Sequence, residues 1–386
     1  MIYTAAQIVF WTCAGLLIYV YIGYPLLVYL VSRVSPKQVK RGPFEPAVTV
    51  LITAYNEERA IRQKLENTLE IDYPADKLEI LVASDGSTDE TDNIVKEFAG
   101  RGVKLFRQEG RLGKTYTQNK AVEIARGEIV LFSDATTAYR PDVLRQILPN
   151  FADDSIGCVA GKLVYVDDSS SNVGKGARSY WNYETFLKES ESRACSLIGA
   201  SGCLYAVRRS AYEPMYPEAC SDFLICTVVY RHGLRSVYEP NAICTEETNR
   251  QADKEMRMRV RVISQTFTDL WRNREMLNPF KSGFFAVELI SHKLLRYAIP
   301  LFLALIFISS IAAMPPAGPP GFYNMVFIVQ LLFYASAVAG WFLEKDGKRL
   351  SILVIPLYFV MANLASAIGF YKFLRGERYA RWEPIR

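Results

Sequence analysis

Histidine is nearly absent from this 386-residue chain, which has two, and its seven cysteines are scattered without a CxxC pair. A disulfide framework and a zinc site both need such residues at short, repeated spacing, so the thiols are expected to be free and mostly buried. No internal repeat is visible, and no low-complexity tract beyond Ser169 to Ser171. The net charge is only +5 and comes from basic residues flanking apolar stretches, which gives no reason to expect a nucleic-acid partner. Charge is missing altogether from Ile8 to Ser32. About 25 residues at 1.5 Å each reach roughly 37 Å, more than the roughly 30 Å of a bilayer's hydrocarbon core. A basic start and a small-residue cleavage site are also lacking around Met1 to Thr12, so the segment is expected to be a retained helix over 8–32 with Cys13 inside it.

Three more apolar stretches run from about Tyr297 to Met314, Phe322 to Phe342 and Leu350 to Phe370, separated by the turn Pro315 to Gly321 and the charged link Glu344 to Arg349. They predict three transmembrane helices over 297–371 and a basic tail over 372–386. Ahead of them, residues 279–296 interleave Phe280, Phe284, Phe285, Val287, Leu289 and Ile290 with Lys281, Glu288, His292, Lys293 and Arg296, a pattern suited to a helix lying in the membrane interface. Its basic residues Lys281, Lys293 and Arg296 would meet anionic headgroups or a polyprenyl phosphate. Arg33, Lys37, Lys40 and Arg41 follow the first stretch and no Lys or Arg precedes it, which places the central domain in the cytoplasm. Three later crossings would then carry Lys372, Arg375, Arg378, Arg381 and Arg386 to the far side, against the same rule. Either one stretch is re-entrant or interfacial, or the tail is an exception.

Between these stretches, residues 46–275 alternate strand-like and helix-like segments: Ala47 to Ala54, Leu78 to Ala83, Val103 to Phe106 and Glu128 to Phe132 as strands, with helices over Glu58 to Leu69, Glu90 to Ala99 and Lys114 to Arg126. Such alternation predicts an α/β domain with a mostly parallel sheet, whose ligand site lies at the carboxyl ends of the strands. Glu57, Asp85 and Asp134 stand at three of those ends. Singly, each has a plain structural reading as a turn former, cap or first-turn acid. Together, without His or Cys beside them, they call for a hard divalent cation held through oxygen and brought in with a phosphate-bearing substrate.

The motifs Ala54-Tyr55-Asn56-Glu57, Ser84-Asp85-Gly86-Ser87-Thr88-Asp89, Gly113-Lys114 with Asn119, Ser133-Asp134-Ala135-Thr136, Gly199-Ala200-Ser201-Gly202, Ser221-Asp222-Phe223-Leu224 and Arg259-Val260-Arg261 follow in order over about 220 residues. In order and spacing this segment resembles the GT-A domain of family 2 glycosyltransferases, in the membrane-bound branch containing cellulose, chitin and hyaluronan synthases. The resemblance implies a Rossmann-like GT-A fold joined to transmembrane helices and inverting transfer from a nucleotide sugar. It places Tyr55, Glu57 and Asp85 around the nucleoside, Lys114 near the diphosphate and Asp134 on Mg²⁺ or Mn²⁺. Asp222 falls on the general base, Arg261 on the arginine beside the leaving group, and Trp181, Ser201 and Gly202 toward the acceptor. The aromatics Tyr180, Trp181 and Tyr183 have two readings, as a stacking surface for sugar or as packing against the interfacial helix. The sequence departs from the family where Ser84 and Thr136 replace acids, and where the QxxRW segment has become Met258-Arg259-Val260-Arg261-Val262. Without that Gln and Trp, processive extension loses support.

These features imply an integral membrane enzyme, of a bacterial inner or plasma membrane type, that moves sugar from a UDP-linked donor, with GDP second, to a glycan or polyprenyl-linked acceptor in cell-envelope polysaccharide assembly. A processive synthase and a non-catalytic nucleotide-sugar sensor or scaffold are the competing readings. A transporter would need ionisable residues or broken helices in midspan.

Overall fold

The computed structural model describes residues 2–166, 172–247, 252–315, 319–345 and 350–381, and within these the side chains of 172–181, 247, 252–254, 344–345 and 351 are not described. Ser169 to Ser171, Trp382 and Arg386 therefore lie outside the described residues, as do the side chains of Tyr180 and Trp181. The central domain is built on one sheet of eight strands: β1 (Val48–Ala54), β2 (Leu78–Ser84), β3 (Val103–Arg107), β4 (Ile129–Asp134), β5 (Ala138–Tyr139), β6 (Ile156–Val166), β7 (Tyr205–Arg208) and β8 (Arg235–Glu247), in the order β3-β2-β1-β4-β7-β6-β8-β5. The half β3-β2-β1-β4 is parallel, as the sequence predicts. Beyond it β7 runs antiparallel to both β4 and β6, and β5 antiparallel to β8, so the whole sheet is mixed.

Alternation of side chains explains why the central strands read as unbroken apolar runs. Val48, Val50, Ile52 and Leu131 face one buried cluster, while Leu51, Leu81, Val130 and Phe132 face another on the opposite side. Both faces are covered, leaving the strand ends as the place where polar groups collect.

Among the described residues three helices are long and apolar enough to cross a membrane: Ile2–Val34, Phe322–Leu343 and Val354–Leu374. The first carries a π-helical turn at Tyr19–Gly23, immediately ahead of Pro25, which lacks the N–H that a regular turn requires there. Its lower part lies along the domain, where Tyr24 and Val28 pack with Leu187 and Ala194 of the Asn172–Ala194 helix. Its upper part meets other apolar helices, with Phe10 edge-on to Phe322 and Tyr323, and Trp11 stacked on Phe322.

Two expectations change here. The stretch from Tyr297 to Met314 forms only a 14-residue helix, Ile299–Ala312, which qualifies as a span only as a pair bent by 57° with Phe284–Leu295. Residues 279–296 do not form one continuous helix. They break into Pro279–Ser282, Phe284–Glu288 and a π-helical Leu289–Leu295, and Phe285 and Leu289 are buried against Cys195, Ile198, Phe223 and Leu270 of the domain. The exposed residues, Pro279, Phe280, Lys281 and Gly283, are all at its start.

The last apolar helix turns back on the domain. Val260, Ile263 and Phe267 of the Ala252–Arg272 helix pack on Ala365 and Phe373, and Gly369 admits Ile263 so closely that a Cβ there would stand 2.9 Å from its Cγ2. The segment that follows reaches the sheet: Gln265 Nε2 donates to the Tyr379 carbonyl at 2.7 Å, and the Ala380 carbonyl lies over Gly113 with no room for a Cβ between them. The described part of the basic tail is thus on the same side as the central domain, not opposite it.

Candidate active site

The first strand end is fixed by Asn56, the one described non-glycine residue with positive φ (53°). In that left-handed pose its Oδ1 accepts from Thr88 N at 2.7 Å and Asp89 N at 3.3 Å, and its own N–H donates to Ser87 Oγ at 3.1 Å, which laces the β1 and β2 loops together. Tyr55 and Glu57, flanking it, are half-buried, and the Arg111 guanidinium lies 4.0 Å over the Tyr55 ring. A planar cation on an aromatic face makes a surface on which a nucleobase would stack.

Asp85 is fully buried. Its carboxylate accepts from Leu112 N at 2.9 Å, Gly113 N at 3.0 Å and Thr117 Oγ1 at 2.8 Å. It therefore shapes the loop that leads into the Lys114–Ile124 helix.

Lys114, Asp134 and Asp222 come from three separate elements and converge on Gly202. A Cβ added at Gly202 would lie 3.2 Å from Asp222 Oδ2, 3.3 Å from Asp134 Oδ2 and 3.3 Å from Lys114 Nζ. Lys114 pairs with Asp134 Oδ1. Burial alone would lower the Lys114 ammonium, but Asp134 and Asp222 outweigh it and hold the group above its ordinary value. Asp222, in the first turn of the Ser221–Arg231 helix, accepts from Phe223 N and Cys220 Sγ on Oδ1, both at 3.1 Å, while Oδ2 faces Gly202. Asp269 of the Ala252–Arg272 helix accepts from Cys220 N at 3.1 Å and so holds the same turn from behind. On that helix Arg261 is half-buried beside Val260, whereas Arg259 is turned to Glu255 and Tyr358.

The Asp134 loop has two neighbours that sequence spacing did not reveal. Lys64, buried, reaches under it to Ser133 Oγ and the Thr137 carbonyl at 2.7 Å each and to Thr137 Oγ1 at 3.1 Å. Glu246, from β8, accepts from Thr136 Oγ1 at 3.1 Å, so an acid stands next to the position where Thr136 replaced one. Burial, with Asp134 adding to it, pushes the Glu246 carboxyl up to about 7. Among the described residues no three His, Cys, Asp or Glu side chains gather as a closed metal site. Asp134 and Glu246 fit an ion that takes most of its oxygen ligands from a bound diphosphate and water.

Ser201, buried, accepts from Lys188 Nζ at 2.6 Å. The ring of Tyr183 lies under the Arg296 guanidinium at 5.3 Å, the packing reading of that aromatic. Arg296 and Lys293 turn inward, correcting their expected contact with headgroups. Arg296 pairs with the buried Glu184, and Lys293 Nζ stands 5.8 Å over the Phe223 ring.

Residues 49–215 match the profile of Glycosyl transferase family 2. The chain is 28% identical over 231 residues to the probable glycosyltransferase YdaM of Bacillus subtilis, covering 56% of this chain and 54% of that one. It is 25% identical over 172 residues to beta-monoglucosyldiacylglycerol synthase of Nostoc, covering 44% and 37%. The chain thus spans about half, or less, of the length of these relatives. Among solved structures, the mannosyltransferase PcManGT from Pyrobaculum calidifontis, in complex with GDP-Man and Mn²⁺, superposes with a TM-score of 0.68 at 23% identity, covering 93% of this chain and 99% of that one. The family match thus covers residues 49–215, and the fold is GT-A.

Proposed function

We propose that the protein is a membrane-embedded, inverting glycosyltransferase that moves a sugar from a nucleotide-sugar donor to a membrane-associated acceptor, a growing glycan or a lipid-linked one. The observation that carries this reading is the meeting of one cation and two carboxylates around a residue without a side chain, Gly202. A donor diphosphate is drawn to Lys114, with Asp134 and Glu246 holding Mg²⁺ or Mn²⁺ when it is bound. That ion supplies charge neutralisation to the departing diphosphate. Arg261 is assigned to the same leaving group. Asp222 Oδ2 takes the proton from the attacking hydroxyl, while its hydrogen-bonded Oδ1 fixes the direction of the carboxylate. Asp222 as the single base, with no protein nucleophile assigned, gives inversion. Tyr55, with Arg111 over it, and Glu57 receive the nucleoside. Uridine is the first reading, and the GDP-Man bound to PcManGT makes guanosine the alternative.

In the membrane, the return of the tail to Gly113 and Gln265 supports two crossings after the domain, by the bent 284–312 pair and Phe322–Leu343. The last apolar helix then lies along the domain at the interface. On this reading the basic residues after the first helix and the described ones of the tail share the cytoplasmic side, in keeping with the rule for basic residues.

The decisive experiment is Asp222→Asn. It should keep donor affinity and lower kcat by about 100-fold or more. A parallel fall in donor affinity would make Asp222 a binding residue and remove the assignment.

A further inference from the structure

Asp222 stands in the first turn of a helix whose own cap does not hold it. Cys220, the residue ahead of the Ser221–Arg231 helix, is extended, and its side chain makes no capping bond. Serine, threonine, asparagine or aspartate at that position would fix the turn from within. Here the Cys220 thiol donates to Asp222 Oδ1 at 3.1 Å instead, and the turn is fixed from outside. Asp269, buried on the Ala252–Arg272 helix, accepts from Cys220 N at 3.1 Å on Oδ2 and from the Tyr216 hydroxyl on Oδ1. Both donors belong to the stretch 212–220, without helix or strand, that leads to the base. The same helix meets that stretch again at Gln265, whose Nε2 donates to the Glu218 carbonyl at 3.3 Å. On the other side Thr115 and Asn119 of the Lys114–Ile124 helix donate to the Ala219 and Met215 carbonyls at 2.8 and 2.6 Å. A buried carboxyl is costly unless it is hydrogen-bonded, and both bonds of Asp269 go to the one stretch that aims Asp222.

We propose that Asp269 is a positioning residue for the reaction: acting through Cys220, it sets the direction of Asp222 and ties the base to the helix that carries Arg261. The inference rests on the glycosyltransferase reading and adds to it a residue that touches no substrate. A base misplaced by about 1 Å can lose on the order of 100-fold in rate, so a tie of this kind acts on turnover and not on donor affinity.

The test uses the full chain in nanodiscs. Turnover is nucleotide release from UDP-glucose or GDP-mannose with Mn²⁺, water serving as acceptor, and binding of UDP or GDP is measured separately. Asp269→Leu should lower kcat by about tenfold or more and leave nucleotide Kd unchanged. Asp269→Asn should restore most of that turnover, because its Oδ1 can accept from Cys220 N while Nδ2 donates to the Tyr216 oxygen. In an Asp222→Asn background, Asp269→Leu should cost less than about twofold, since its effect runs through a base already removed. A tenfold loss in that background overturns the proposal and makes Asp269 a structural residue, as does a fall in nucleotide affinity that matches the fall in kcat. Tyr216→Phe removes one of the two ties with the ring in place, so it reads out even if Asp269→Leu fails to fold, and should lower kcat only while Asp222 is present. The Cys220 S–H stretching band, assigned in infrared difference spectra against Cys220→Ala, gives a readout that needs no turnover. It should move to higher frequency in Asp269→Leu as the bond to Asp222 is lost, and a band that stays in place overturns the proposal. If the band moves but the unaltered protein releases no nucleotide, the glycosyltransferase reading fails and the tie stands.

Discussion

Lys64 shows how much of the site rests on groups that never meet substrate. Its ammonium is buried with Ser133, Thr137 and the Tyr139 ring, 3.7 Å away, so it braces the loop on which Asp134 stands. Lys64→Met strands those oxygens and should lower stability by about 2–3 kcal/mol, seen as a reduced unfolding temperature, together with weaker Mn²⁺ binding in a paramagnetic-resonance titration. Asp134→Ala should abolish Mn²⁺-dependent donor binding, and excess EDTA should do the same to the unaltered protein. Full turnover in EDTA would refute a metal role. At this scale the sequence was legible where a residue sits in a short motif: Lys114, Asp134 and Asp222 do converge. It was silent about Lys64 and Glu246, whose partners lie 69 and 110 positions away along the chain. Lys188 had a weak signal, since Glu184, Lys188 and Glu191 recur at helical spacing of four and three on one face, a pattern of buried charge easily read as a solvated stripe.

Among the elements, the junction between the 172–194 helix and the 284–296 segment is held by charge as well as by packing. Burial would raise the Glu184 carboxyl, but Arg296 and His292 outweigh it and hold it well below its ordinary 4.5. A depressed carboxyl contributes stability that is present above its unfolded value and lost as pH falls through the folded one, so this junction loosens in acid, below about 4.5. Arg296→Met leaves a buried carboxylate short of a partner and should cost about 3–5 kcal/mol near neutrality. It should also shrink the further loss of stability between pH 7 and pH 4, because burial then pushes Glu184 up. Unfolding curves at the two pH values in nanodiscs decide this, and an unchanged pH difference would show that the pair contributes nothing. Strands with continuous apolar runs, β1, β2 and β4, were legible because both their faces are covered. The antiparallel insertion of β7 between β4 and β6 was not, since its pairing depends on segments far along the chain. The inward packing of Phe285 and Leu289 was hidden for a related reason: an amphipathic pattern does not say whether its apolar side meets lipid or protein.

For the molecule as a whole, the question is how many apolar stretches cross. Length and composition qualify Val354–Leu374 as readily as the others. Its packing along Ala252–Arg272 and the contact of Tyr379 with Gln265 argue that it stays with the domain. A single cysteine introduced at Lys96 and another at Arg378, each in a background with Cys220 replaced, should both resist a membrane-impermeant maleimide applied to intact cells and react after permeabilisation. Labelling of Arg378→Cys alone from outside would restore three crossings.

The segment joining the last apolar helix to Gly113 also works as a leash. From Leu374 to Ala380 the chain has six peptide links, which reach about 20 Å when fully drawn out. The first apolar helix is clamped to the domain from the other side. With both tethers in place the catalytic cleft has a fixed working height, and only an acceptor whose reactive end stands within that short distance of the lipid surface comes into register with Asp222.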